Sequence, residues 1–212
     1  MTHRLLPRDL SEMIDPAYTA LLMWDFQVGL GGNATNLDLI TETGNRILQY
    51  ADEARVPVIW SRHTVPDLAQ VTAGSLYRMM KKQGVQDPSA VQPFMQEGSS
   101  EREFLEQIRP RPHDTIIEKS TPSFFIGTPL NLRLAALGIN SILLCGVATD
   151  IGVDLTAKHA FALGYFPVVV EDAVGSYSDE RHRAALQSMK SWIPIADSRS
   201  VIEAWASRGP DD

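Results

Sequence analysis

Cysteine is nearly absent from this sequence, which carries one, Cys145, in 212 residues. A single thiol excludes an intrachain disulfide and any metal cluster built on cysteines. No apolar run approaches the ~20 residues needed to cross a bilayer. The N-terminal stretch MTHRLLPRDLSEMIDPAY lacks the basic start and continuous apolar core of a secretory leader, so a soluble, cytoplasmic protein is expected. Positive charge is also in deficit: 19 Lys and Arg against 26 Asp and Glu give a formal charge of −7, with neither sign gathered into blocks. Such a chain does not track phosphates, and neither nucleic acid nor a membrane is an expected partner.

What is present is apolar residue in alternating patterns. With 44% hydrophobic residues the chain is long enough for one substantial core and short for two, so residues 1–212 are read as one domain. Short runs rich in Val, Ile and Leu recur between segments of helical period. Six such runs are TALLMWDF (19–26), VPVIWSR (56–62), DTIIEKS (114–120), SILLCGV (141–147), FPVVVEDA (166–173) and WIPIA (192–196). Helical patterns lie between them: NLDLITETGNRILQYADEA, TPLNLRLAALG, IGVDLTAKHAFALG, a stretch from 179 to 189, and SRSVIEAWA. Strand and helix in strict alternation predict an α/β, doubly wound, mostly parallel sheet. Residues 63–113 break the rhythm, with helical pieces expected at SLYRMMKKQ and SSEREFLEQI. Excursions of this length between strands form lids or partner contacts.

In an open parallel sheet, ligands bind beyond the carboxyl ends of the strands, so polar residues there are examined first. Asp25 ends a strand of Ala, Leu, Met and Trp, where a carboxylate is costly unless partnered or used; the competing reading is a turn residue. Lys119 ends TIIEK in the same way, and the competing reading is a solvated lysine. Opposite charges at the same edge of one sheet can meet across the crevice, which tunes the carboxyl for proton transfer. GVATDIG is the third element: backbone N–H groups in the turn after a strand suit an oxyanion or carboxylate. Asp154 and Lys158, four apart, form an ordinary helix-face pair.

The stretches ALLMWDFQVGL, IIEKSTPSFF and LLCGVATDIGVDLTAKHAFALGYFPVVVEDAVGS, in this order, resemble the isochorismatase-like, or cysteine hydrolase, family. Together they span Ala20 to Ser176. The resemblance implies a Rossmann-like three-layer α/β/α sandwich on six parallel strands in order 3-2-1-4-5-6, a dimer or larger homo-oligomer, and a catalytic site containing Asp25 and Lys119. It also implies a cis peptide between Val147 and Ala148, both placed against substrate. Most members carry a nucleophilic cysteine at the position of Gly152. Cys145 lies seven residues earlier in a strand and reads as a buried, inert thiol. Thr149 and Thr156 read as structural.

Glycine at this position is shared with the isochorismatase branch, whose reaction protonates a vinyl ether and needs no nucleophile. The resemblance thus implies Asp25 as general acid, Lys119 positioning it or binding substrate, and Gly152 leaving room for a small-molecule substrate. Two other readings stay open: a non-catalytic binding or scaffold member, and an amidase using activated water. Arg78 is the candidate for a substrate carboxylate, against an exposed helical arginine. His63 stands where metal-binding members begin an Asp-x-His set; lacking a second histidine nearby, it is read as pocket-lining or a surface residue, and no metal or other cofactor is expected.

Overall fold

A computed structural model describes residues 6–207. Six strands, β1 (Thr19–Trp24), β2 (Val58–His63), β3 (Thr115–Lys119), β4 (Ser141–Val147), β5 (Phe166–Gly175) and β6 (Ile195–Ala196), form one sheet in order β3-β2-β1-β4-β5-β6. Every pairing is parallel. The α/β expectation and its strand order are thereby met.

Strand β1 shows why the sheet is covered on both faces. All six of its residues are buried, and successive side chains point to opposite faces. Leu21 and Met23 join one core with residues of helices α1 (Leu10–Met13), α2 (Leu37–Glu53) and α7 (Ser198–Ala206). Ala20, Leu22 and Trp24 join the other, beneath α4 (Leu130–Ala136), α5 (Asp154–Ala162) and α6 (Asp179–Met189). Helix α2 earns its place by spacing: Ile40, Gly44, Ile47, Leu48 and Ala51 recur at three and four residues and are all buried. Side chains of Ser178 and Asp197 accept backbone N–H bonds at the starts of α6 and α7, caps worth about 1 kcal/mol each.

The excursion between β2 and β3 contains helix α3 (Ala73–Gln83) and a small core of its own, Val65, Met79, Val91 and Met95. The helix expected at 99–108 is not formed; only a 3-10 turn at Ser100–Arg102 remains. Tertiary pairing overrides the local pattern there. Val28 and Gly29 donate their N–H groups to the carbonyls of Glu103 and Glu101, Leu105 donates to Phe26, and Gln27 bridges to Phe104. That backbone is spent on the segment after β1 and has nothing left for a helix.

Candidate active site

The chain leaves β1 towards β2 and later returns to lay β4 on the other side of β1, so the order of strands reverses between β1 and β4. The crevice at their carboxyl ends is where such sheets take ligands. Asp25, the first residue beyond β1, adopts a left-handed φ of +49°, a conformation aspartate tolerates better than most residues. At the end of β4 the Val147–Ala148 peptide is cis. The two strands close tightly here: a Cβ on Gly146, φ +135°, would collide with the Trp24 carbonyl group, its carbon lying 2.7 Å away.

Asp25 and Lys119 meet. Lys119 Nζ donates to Asp25 Oδ2 at 2.7 Å, and their side chains are 1% and 6% exposed. The solvated reading of Lys119 is overturned, because the end of β3 turns its side chain inward over β1. Ser61, on β2, completes the carboxylate: its hydroxyl donates to Asp25 Oδ1 at 2.6 Å and accepts the Asp25 N–H at 2.9 Å. Burial is the first cause of both shifts in this pair, raising Asp25 and lowering Lys119, while the mutual attraction works against each. Neither charge is fully settled, so a proton leaves or enters at lower cost than in a fully stabilised ion pair.

Lysine has three N–H donors, and in Lys119 each has an acceptor. Besides Asp25, Nζ reaches His63 Nδ1 at 3.2 Å and the carbonyl of Thr121 at 3.4 Å. An ammonium so committed positions the carboxyl. His63, the last residue of β2, therefore lies against the pair; accepting at Nδ1 leaves its proton on Nε2. Burial first, then Lys119 and Arg78, hold its pKa well below the ordinary imidazole value. Gln27, fully buried, pins this corner: Nε2 donates to the carbonyls of His63 (3.0 Å) and Arg102 (2.7 Å), and Oε1 accepts from the His63 N–H (2.7 Å).

Arg78 is exposed on α3, as its plainer reading had it, yet its charge acts on Lys119, His63 and Tyr177. The excursion thus brings a cation within electrostatic reach of the pair. Tyr177, just past β5, is pushed up to about 12 by burial and then by the Asp25 charge. Val147 and Ala148, at the end of β4, are buried, 1% and 5% exposed.

Gly152 departs from expectation. It sits in a wide π-type turn, Thr149–Val153, ahead of α5. The room above it is taken by the indole of Trp24: a Cβ built on Gly152 would lie 2.5 Å from Cε2, 2.6 Å from Cζ2 and closest of all to Nε1. Trp24 is 1% exposed, has Phe124 edge-on at 5.2 Å, and carries the Lys119 ammonium over its ring at 4.1 Å, a cation–π contact. Glycine here makes room for a tryptophan. The supply of free amides in the turn is also smaller than expected, since Ile151 and Val153 both donate to the Ala148 carbonyl.

The remaining candidates settle as structure. Cys145 is fully buried in β4 and burial pushes its thiol far up. Thr149 donates to the Gly175 carbonyl and meets His182 Nδ1; Thr156 accepts the Phe124 N–H. Asp154 and Lys158 pair at 2.8 Å. Sequence reasoning missed Trp24, Gln27, Ser61 and Tyr177. All four lie within three residues of a strand end, a place that invites attention but does not say what each side chain reaches.

Comparison with known proteins identifies the family and the fold. The isochorismatase domain model matches residues 19–200. An isochorismatase family protein, YecD of Escherichia coli O157:H7, is 30% identical over 194 residues, covering 87% of this chain and 93% of that one. The ureidoacrylate amidohydrolase RutB of Methylobacterium radiotolerans is 28% identical over 212 residues, covering 90% and 80%. Among solved structures, a cysteine hydrolase from Pseudomonas syringae pv. phaseolicola superposes with a TM-score of 0.80 at 22% identity, over 98% of this chain and 99% of that one.

Proposed function

This chain belongs to the isochorismatase domain family, and from that premise we propose that it is a hydrolase in which Asp25 acts as a general acid on a small carboxylated vinyl ether. The carrying observation is the pairing of two features. The buried Asp25–Lys119 pair is complete, while Gly152, which the sequence resemblance sets at the family's nucleophile position, is covered by Trp24. A buried ion pair is costly to keep without use, and an acyl-enzyme cannot form on a residue with no side chain.

In this reaction protonated Asp25 gives its proton to the terminal enol carbon. The resulting oxocarbenium ion takes up water, whose surplus proton returns to the carboxylate, and the hemiketal collapses to a 2-oxo acid and an alcohol. Ser61 and Lys119 stabilise the carboxylate after it has given up its proton. Arg78, within electrostatic reach of the pair, meets the substrate carboxylate.

The test is a coupled pyruvate-release assay on isochorismate and related enolpyruvyl ethers, beside nicotinamide and ureidoacrylate as amide substrates. Pyruvate release that survives Asp25→Asn would sink the acid role. Likeness to a ureidoacrylate amidohydrolase favours a second reading, amide hydrolysis by activated water; ammonia release without pyruvate release selects it. Turnover of neither class leaves a small-molecule-binding member.

A further inference from the structure

Three of the four tryptophans are buried, and two of these have conventional partners. Trp60 Nε1 donates to Asp114 Oδ2 at 2.8 Å and Trp205 Nε1 to the Ile14 carbonyl at 2.9 Å. Trp24 differs. Although 1% exposed, its Nε1–H has no acceptor among the described residues, nor is that nitrogen one of the polar atoms sealed inside the protein. Buried indole N–H groups are ordinarily hydrogen-bonded. An unpaired one that is not sealed in is a donor awaiting a partner.

Its position tells which partner. Of all atoms, Trp24 Nε1 lies closest to where a side chain on residue 152 would begin. The ring cannot swing away cheaply, held edge-on by Phe124 and clasped on its face by Lys119. We propose that the Trp24 indole N–H is a substrate-contacting donor standing in the place of the nucleophilic side chain, and that it receives a carboxylate oxygen of the substrate. The charge balance favours an anion: Asp25 and Lys119 offset each other, and Arg78, which makes no ion pair among the described residues, adds its charge to theirs. The assignment rests on the crevice being the substrate site and does not require Asp25 to be the acid.

The test uses protein labelled with ¹⁵N-tryptophan, whose four indole signals are assigned with Trp24→Phe. Without ligand, the Trp24 N–H exchanges with solvent faster than those of Trp60 and Trp205. Added pyruvate or benzoate moves the Trp24 indole proton downfield and saturably, while benzamide at equal concentration moves it less. Loss of one hydrogen bond weakens pyruvate binding about 2- to 10-fold in Trp24→Phe. Benzothienylalanine at position 24, which keeps the bicyclic ring and lacks the N–H, gives the same loss without disturbing the packing. A Trp24 signal unmoved by both carboxylates, exchange as slow as that of Trp60, or unchanged binding in the benzothienylalanine protein overturns the proposal; an equal response to benzamide overturns its carboxylate assignment. Failure of every enolpyruvyl ether to turn over, with the Trp24 response intact, refutes the acid chemistry alone.

Discussion

Adding one methyl group to Gly152 is the sharpest perturbation available. In Gly152→Ala the new Cβ would stand 2.5 Å from Trp24 Cε2 and 2.6 Å from Cζ2, against the 3.5–4.0 Å of ordinary carbon contact. About 1 Å of overlap must be relieved, and the neighbour is a rigid bicycle, 1% exposed and wedged against Phe124. Overpacking of this kind costs about 1–3 kcal/mol. The backbone offers no objection, since Gly152 is not in the left-handed region. Alanine even stiffens the unfolded chain, a gain of about 0.4–1 kcal/mol that the clash must exceed. The net cost is then up to about 2.6 kcal/mol, and at about 2–4 °C per kcal/mol for a chain of this size the melting temperature should fall by up to roughly 10 °C in differential scanning fluorimetry. Repeating the change in a Trp24→Val background supplies the control. Trp24→Val alone is destabilising, but alanine at 152 then costs nothing or stabilises, a coupling of about 1–3 kcal/mol. Equal penalties in both backgrounds, or a Gly152→Ala protein melting with the parent, would refute the steric argument. The same reasoning says that Gly152→Cys alone cannot install a working nucleophile; the thiol needs a small residue at 24 as well.

Two further expectations concern the charged groups. Lys119→Met leaves the Asp25 carboxylate buried and uncompensated, which costs about 3–5 kcal/mol near neutral pH in urea denaturation. Lys119→Met with Asp25→Asn recovers most of it, and equal instability of the single and double variants would contradict the pairing. His63 is held well below the ordinary imidazole value of 6.5, so below that pH the unfolded chain takes up a proton that the native one refuses. Stability contributed by neutral His63 is therefore present above pH 6.5 and is lost on acidification through the window between 6.5 and its folded value, at up to about 1.4 kcal/mol per pH unit. Denaturation series at pH 7.5 and 5.5 should show a smaller drop in His63→Asn than in the parent, and parallel drops would exclude His63 as a source.

The sheet was legible because its strands are almost wholly apolar and its helices carry their own period, so composition and spacing point the same way. Asp25 and Lys119 were legible as charges misplaced at the ends of apolar strands. Trp24 was not: alternation along β1 assigns its face but cannot say that a side chain reaches across to the turn after β4. Ser61 failed for a related reason, since a serine in a strand carries no mark of the carboxylate 36 residues away that it serves. The stretch 99–108 misled because its helical pattern is real, while the hydrogen bonds that override it come from residues 26–29. Non-local pairing of this sort leaves no local trace.

Gln27 holds one further consequence. One side chain grips the backbone at His63 and at Arg102, so everything between those residues, Arg78 included, is a closed loop with both feet on the same stone. Length and sequence in the middle of that loop, around Arg78, can be altered with the clamp and the ties of Thr64 to Lys119 and of Glu101 to Gly29 left in place. Under the proposed roles, chemistry and substrate choice then sit on separately replaceable parts, and a lineage could exchange the second while leaving the first intact.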